Sequence, residues 1–199
     1  MAFFTEKVCF FIFGLMSFFA FSQSGTYELK HKNGSYCYIS FTKKGNEASA
    51  DIFAWWNTKS GQTGSYSGKS SSGDNRYILK SQENDPDCKV TLILKNGRIQ
   101  AQFDQCATDH LTEDFNGVYT KITDATSGDY LVAAPKSYFH QKPDAGSRQK
   151  TYLIKGNKVT LNIDSITPGN WANVYYVDPN GKEFRGYLKL NELRKINAE

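Results

Sequence analysis

Outside the first 22 residues the chain carries three histidines, His31, His110 and His140, and three cysteines, Cys37, Cys88 and Cys106. These are the side chains with the most chemistry to offer. Nucleophilic catalysis needs a nucleophile, a base within hydrogen-bond reach and a carboxylate that orients the base. The histidines fall in separate polar segments, and none stands in a recognisable nucleophile motif. His140, in Ser137-Tyr138-Phe139-His140, is expected at a solvated or groove-edge position. No catalytic residue is therefore assigned, and the chain is read as a non-enzyme. Metal binding lacks a basis too, because no Cys or His pair stands at short ligand spacing. Asp109, Glu113 and Asp114 lack the regular oxygen offsets and turn glycine of a calcium loop. No metal ion or other cofactor is expected.

The cysteines point to structure instead. Cys88 and Cys106 bracket CKVTLILKNGRIQAQFDQC, and Asn96-Gly97 inside it is a strong two-residue hairpin turn. Pairing outward from Lys95 and Arg98 sets Cys88 opposite Gln105, one residue short of Cys106. A bulge there would bring the sulfurs together, so a Cys88–Cys106 disulfide is expected. Cys37 is left as a small buried residue.

Export suits a disulfide. Residues 1–22 read as a secretory signal peptide, with Lys7 in a short charged start and the apolar run Val8–Phe21. Ala20-Phe21-Ser22 supplies small residues for cleavage. The run is short of the roughly 20 residues of a membrane span, so no stable span is expected after cleavage. The expected place is secreted or periplasmic. Formal net charge is +4. Residues 23–127 hold 12 Lys/Arg against 12 Asp/Glu, and residues 128–199 hold 11 against 7. That balance has no dense basic run, and nucleic acid is not expected as a partner.

The elements that must position these residues are strands. The remaining chain is rich in Tyr, Phe, Gly, Ser, Thr and Asn, and turn signals recur. About eight short strands are expected between residues 25 and 122. Gly117-Val118-Tyr119 echoes the opening Gly25-Thr26-Tyr27, which suits a small antiparallel barrel or sandwich whose last strand pairs with its first. Trp55 and Trp56 must face opposite sides of their strand, one toward the core. Thr123–Gly128 is a short polar break, and the domain boundary is placed there. The reading is thus all-β: a barrel-like domain over 23–123 and a smaller unit of about five strands over 128–196.

The second unit resembles a bacterial SH3-like (SH3b) domain. Ser137-Tyr138-Phe139 with Lys142-Pro143-Asp144 matches the aromatic-plus-proline start of that family's long first loop. Tyr152-Leu153-Ile154-Lys155-Gly156-Asn157-Lys158-Val159 matches its strand pair. Trp171 with Val174 matches its W-x-x-V strand, Gly186-Tyr187-Leu188 its glycine-aromatic strand, and Leu190–Leu193 its closing turn. The resemblance implies a binding module for peptidoglycan or an envelope protein. Val174 belongs to the core in this pattern, so Trp171 and Tyr175 fall on the open face. Tyr138, Trp171, Tyr175 and Tyr187 are the expected ligand-binding residues. The alternative is an inhibitor or immunity-type protein that blocks a toxin or lysozyme through the first domain.

Overall fold

The computed structural model describes residues 23–70 and 75–196. The signal-peptide reading of residues 1–22 lies outside them. The structure is all-β, with an eight-stranded sheet followed by a seven-stranded one.

The first sheet is a meander. β1 (Gly25–Lys30), β2 (Tyr36–Lys44), β3 (Glu47–Trp55) and β4 (Thr63–Ser70) form one half. β5 (Arg76–Leu79), β6 (Lys89–Lys95), β7 (Arg98–Asp104) and β8 (Gly117–Thr123) form the other. β8 returns to pair antiparallel with β1, as the echoed Gly-x-Tyr strands suggest. The remaining gap, between β4 and β5, is crossed by a single β-bridge among the described residues. There Lys69 N donates to Lys80 O at 2.9 Å and Lys80 N to Lys69 O at 2.8 Å. The sheet is therefore a nearly closed barrel.

Strict alternation fills it. Cys37, Ile39 and Phe41 of β2 and Ala48, Ala50, Ile52 and Ala54 of β3 point inward and are buried. Ala50 pairs with Gly68 and Ala54 with Gly64, and Gly68 lies against the Tyr66 ring. This small-against-large packing is how a narrow barrel fills its bore. Gly64 has a second task. A Cβ there would lie 2.4 Å from the carbonyl oxygen of His110, so its absence lets the segment after β7 close one barrel end. Leu111 and Phe115 of that segment are buried, and Glu113–Phe115 forms one 3-10 turn. The sulfurs of Cys88 and Cys106 lie 2.07 Å apart, at disulfide distance. Gln105 takes a left-handed φ of 57°, and this one-residue kink carries Cys106 back toward Cys88. Trp56 points to the core side, 4.7 Å from the Phe115 ring, while Trp55 lies outside against Tyr36.

The second sheet is formed by β9 (Gly128–Val132), β10 (Lys136–His140), β11 (Arg148–Ile154), β12 (Lys158–Leu161), β13 (Trp171–Val177), β14 (Glu183–Lys189) and β15 (Leu193–Lys195). Their spatial order is β11-β10-β14-β13-β12-β9-β15. The sheet curls around a core that includes Val132, Phe139, Val159, Leu161, Ala172, Val174 and Leu188. Two strands, β10 and β11, stand where the sequence suggests one long loop and a later strand. The loop proper shrinks to residues 141–147 because Lys136–His140 pairs with both β11 and β14. Gly186 makes the second pairing possible. A Cβ there would meet Phe139 Cδ1 at 3.0 Å and His140 O at 3.1 Å.

The link between the sheets is anchored, contrary to the polar break expected from Thr123–Gly128. Thr123, Ala125 and Thr126 are buried, and Ala125 belongs to the second core. Ser127 N donates to Ser40 Oγ at 2.7 Å and Ser127 Oγ donates to Asp51 Oδ2 at 2.5 Å, with the Ser40 and Ser127 hydroxyl oxygens 2.9 Å apart. Ser67 Oγ completes the carboxylate by donating to Asp51 Oδ1. From the other side Lys195 Nζ reaches Thr42 and Thr126, at 3.1 and 2.5 Å.

Candidate binding surface

The four expected ligand-binding residues sit on the second sheet, and two of its strands fix three of them. β13 alternates Trp171, Asn173 and Tyr175 outward with Ala172 and Val174 inward, the last two almost fully buried. β14 runs antiparallel beside it, so Trp171 faces Lys189, Asn173 faces Tyr187 and Tyr175 faces Arg185. Cross-strand neighbours on one face stand close enough for side chains to touch. Trp171, Tyr175 and Tyr187 therefore share one half-buried outer face.

His140 belongs to the middle of this face rather than to a solvated loop. β10 places it opposite Tyr187 across β14. Its ring meets Trp171 edge-on, with centroids 4.7 Å apart and planes at 66°. His140 is only 5% exposed, and its Nδ1 is buried with no hydrogen-bond partner among the described residues. The closeness of β10 to β14 at Gly186 accounts for the burial, and Ser-Tyr-Phe-His carries no local signal of it. Trp171 is thus braced by a histidine, which fixes its ring.

Tyr138 takes its contacts one step away, toward the sheet edge. It pairs with Tyr152 of β11, with ring centroids 5.4 Å apart. The Arg148 guanidinium lies 3.7 Å from the Tyr138 ring centre, and Lys136 Nζ lies 4.6 Å from that of Tyr152. Arg185 stands 5.1 Å from the Tyr175 ring. A hydrogen bond to the Glu183 carboxylate raises the Tyr175 pKa above the ordinary tyrosine value, with smaller help from desolvation and from the charge of Glu183. The sequence does not reveal these cations, because Arg148 reaches Tyr138 only through the β10–β11 hairpin.

Chemically the face offers flat rings interleaved with guanidinium and ammonium groups. Rings stack on sugar faces or on extended peptides at low entropic cost, and the cations suit carboxylates. A different concavity lies between the sheets, a cleft of about 450 Å³ lined by Thr42, Lys44, Thr126, Tyr130, Leu193 and Lys195. Burial lowers the pKa of Lys195 below the usual lysine value, against a smaller upward pull from Asp51.

The other two histidines both lie at the barrel end. His31 packs 5.7 Å from the Phe115 ring, and His110 accepts Trp56 Nε1–H through its carbonyl at 2.9 Å. Among the described residues no three His, Cys, Asp or Glu side chains gather in a group able to hold a metal ion. No described helix is long and apolar enough to cross a membrane. Comparisons with family models, curated proteins and solved structures found no match.

Proposed function

We propose that the chain is an exported, non-enzymatic binding protein that holds a cell-wall component or an envelope protein on the outer face of its second sheet. The observation that carries this reading is the row Trp171, Tyr187 and Tyr175 on one half-buried face, with Arg185 and Lys189 beside it. Peptidoglycan joins sugar faces to peptide carboxylates, and this row offers a partner to each. The order of elements also supports an SH3-like relationship. A 3-10 turn, Leu190–Glu192, precedes the last strand, and that strand pairs back to the first strand of the unit. The pairing of Cys88 with Cys106 suits an oxidising compartment.

Co-sedimentation with purified peptidoglycan tests the reading. The wild-type chain should pellet with it at moderate salt. Tyr175→Ala and Tyr187→Ala should each leave more protein in the supernatant without changing the melting temperature. Wild-type protein that stays wholly soluble beside the wall material would remove peptidoglycan from the proposal, and a pull-down from the envelope would then test the protein partner.

One observation favours the alternative, an inhibitor acting through the first domain. The segment closing the barrel end is held at both sides, by Cys106 and by the Trp56–His110 bond, and it leaves His110 exposed. A loop fixed in advance loses little entropy on binding. An inhibitor should copurify with one partner in roughly equal amounts.

A further inference from the structure

β11 forms one edge of the second sheet. It pairs with β10, and among the described residues no strand lies on its other side. In an antiparallel strand the N–H and C=O of successive residues point alternately to the two sides. Ile154 sets the phase. Its N–H donates to Asn157 Oδ1 at 2.9 Å and its carbonyl accepts from Asn157 N at 3.1 Å, away from β10. By alternation Tyr152 also turns its backbone groups to the open side, and beyond it a register shift toward Arg148 interrupts the ladder with β10. Such an edge is a template for another strand.

The side chains say which strand fits. Tyr152 is 43% and Ile154 53% exposed, two large apolar groups on the outer side of the edge. Residues 136–155 carry Lys136, Lys142, Arg148, Lys150 and Lys155, with Asp144 as the single acid. Asp144 is occupied locally, accepting from Ser147 N. A second copy of the chain would set these cations against their own kind across the new ladder, which disfavours self-pairing. An acidic strand would meet them all.

We propose that β11 is a docking edge for an extended, acidic segment of a partner protein, which adds a strand to the second sheet. Its backbone pairs with the open groups of Tyr152. Its aliphatic side chains cover Tyr152 and Ile154, and its carboxylates face Lys136, Lys150 and Lys155. The edge lies beside the aromatic face and does not depend on it.

Fluorescence anisotropy with a labelled peptide of alternating glutamate and valine, added to the full chain at low salt, tests this. The peptide should bind. The doubly substituted Lys150→Glu, Lys155→Glu chain should bind about tenfold or more weakly, and so should the wild type when alternate peptide nitrogens are methylated. Trp171→Ala should bind as the wild type does. Absence of binding would overturn the proposal, as would undiminished binding of the methylated peptide or equal binding of a lysine–valine peptide. Loss in Trp171→Ala alone would move the site to the aromatic face. A free chain that dimerises through β11 would replace the acidic partner with a second copy.

Discussion

The Ser127 hydroxyl donates to Asp51 Oδ2 at 2.5 Å, which fastens the short link between the sheets to the outer wall of the barrel. Asp51 is otherwise held by Ser67, and Ser40 Oγ accepts from the Ser127 backbone and lies beside its hydroxyl. The two sheets are thereby joined through a polar seam in which each group satisfies another.

Ser127→Ala should expose the worth of that seam. It leaves one oxygen of Asp51 without its donor and weakens the hold on Ser40. The expected loss is about 1–3 kcal/mol, read from urea unfolding. A midpoint unchanged from wild type would mean that the seam contributes nothing to stability.

Acid should weaken the second sheet through Asp129. Lys158 donates to its carboxylate and Thr160 adds a second hydrogen bond, and together they hold its pKa below the ordinary aspartate value despite some desolvation. A carboxyl depressed on folding stabilises the fold above its unfolded pKa of about 3.9, and the contribution disappears as pH falls through the folded value. Asp129→Asn should therefore flatten the stability profile below about pH 4. An identical acid limb in the variant would refute the assignment.

Alkali should act through Cys37 and two tyrosines. Burial pushes the Cys37 thiol up to about 12, against a smaller downward pull from a hydrogen bond with Tyr119. Tyr27 and Tyr38 are likewise raised to about 12, chiefly by desolvation. Groups raised on folding give stability that is complete below their unfolded pKa and is lost as pH climbs toward the folded one. Stability should thus decline from about pH 8.5 for the thiol and about pH 10 for the phenols. Cys37→Ala should remove the earlier part. In native protein Cys37 should also resist a thiol reagent that modifies it fully in guanidinium.

Gly64→Ala should dislodge the barrel-end segment, since its new methyl would sit 2.4 Å from His110 O. The crowding should cost about 1–3 kcal/mol and break the Trp56 Nε1–His110 O bond. Tryptophan fluorescence would report the change. A variant with wild-type stability and emission would show that the segment yields freely.

The sequence reveals those parts of the fold whose causes are local. Asn96-Gly97 fixes a hairpin whose register runs from Lys95–Arg98 to Lys89–Asp104, and that register brings Cys88 near Cys106. Alternation in Tyr36–Thr42 sorts Cys37, Ile39 and Phe41 inward. It likewise puts Trp171 and Tyr175 on one face, to which the register with β14 adds Tyr187. Three features escape it for one physical reason. β10 becomes a strand because β14 accepts it at Gly186, 46 residues or more away in the chain. His140 is buried by that same approach. The seam joins Ser40 to Ser127 across 87 residues, and serines carry no periodic mark of a distant partner.

The Lys69–Lys80 bridge gives the barrel an order of loosening. Every other neighbouring pair of its strands is held by a ladder of several residues, whereas between β4 and the end of β5 the described residues form only this one backbone bridge, beside which Tyr66 Oη donates to Leu79 O. Local opening follows the weakest ladder, so the amides of Lys69 and Lys80 should exchange with deuterium ahead of those in β2 and β7. The cylinder parts along a single line and becomes a curved eight-stranded sheet with its order intact. Both newly exposed edges, β4 and β5, then lie at the ends of that sheet, so reclosing needs only the return of this short seam rather than a search among strands.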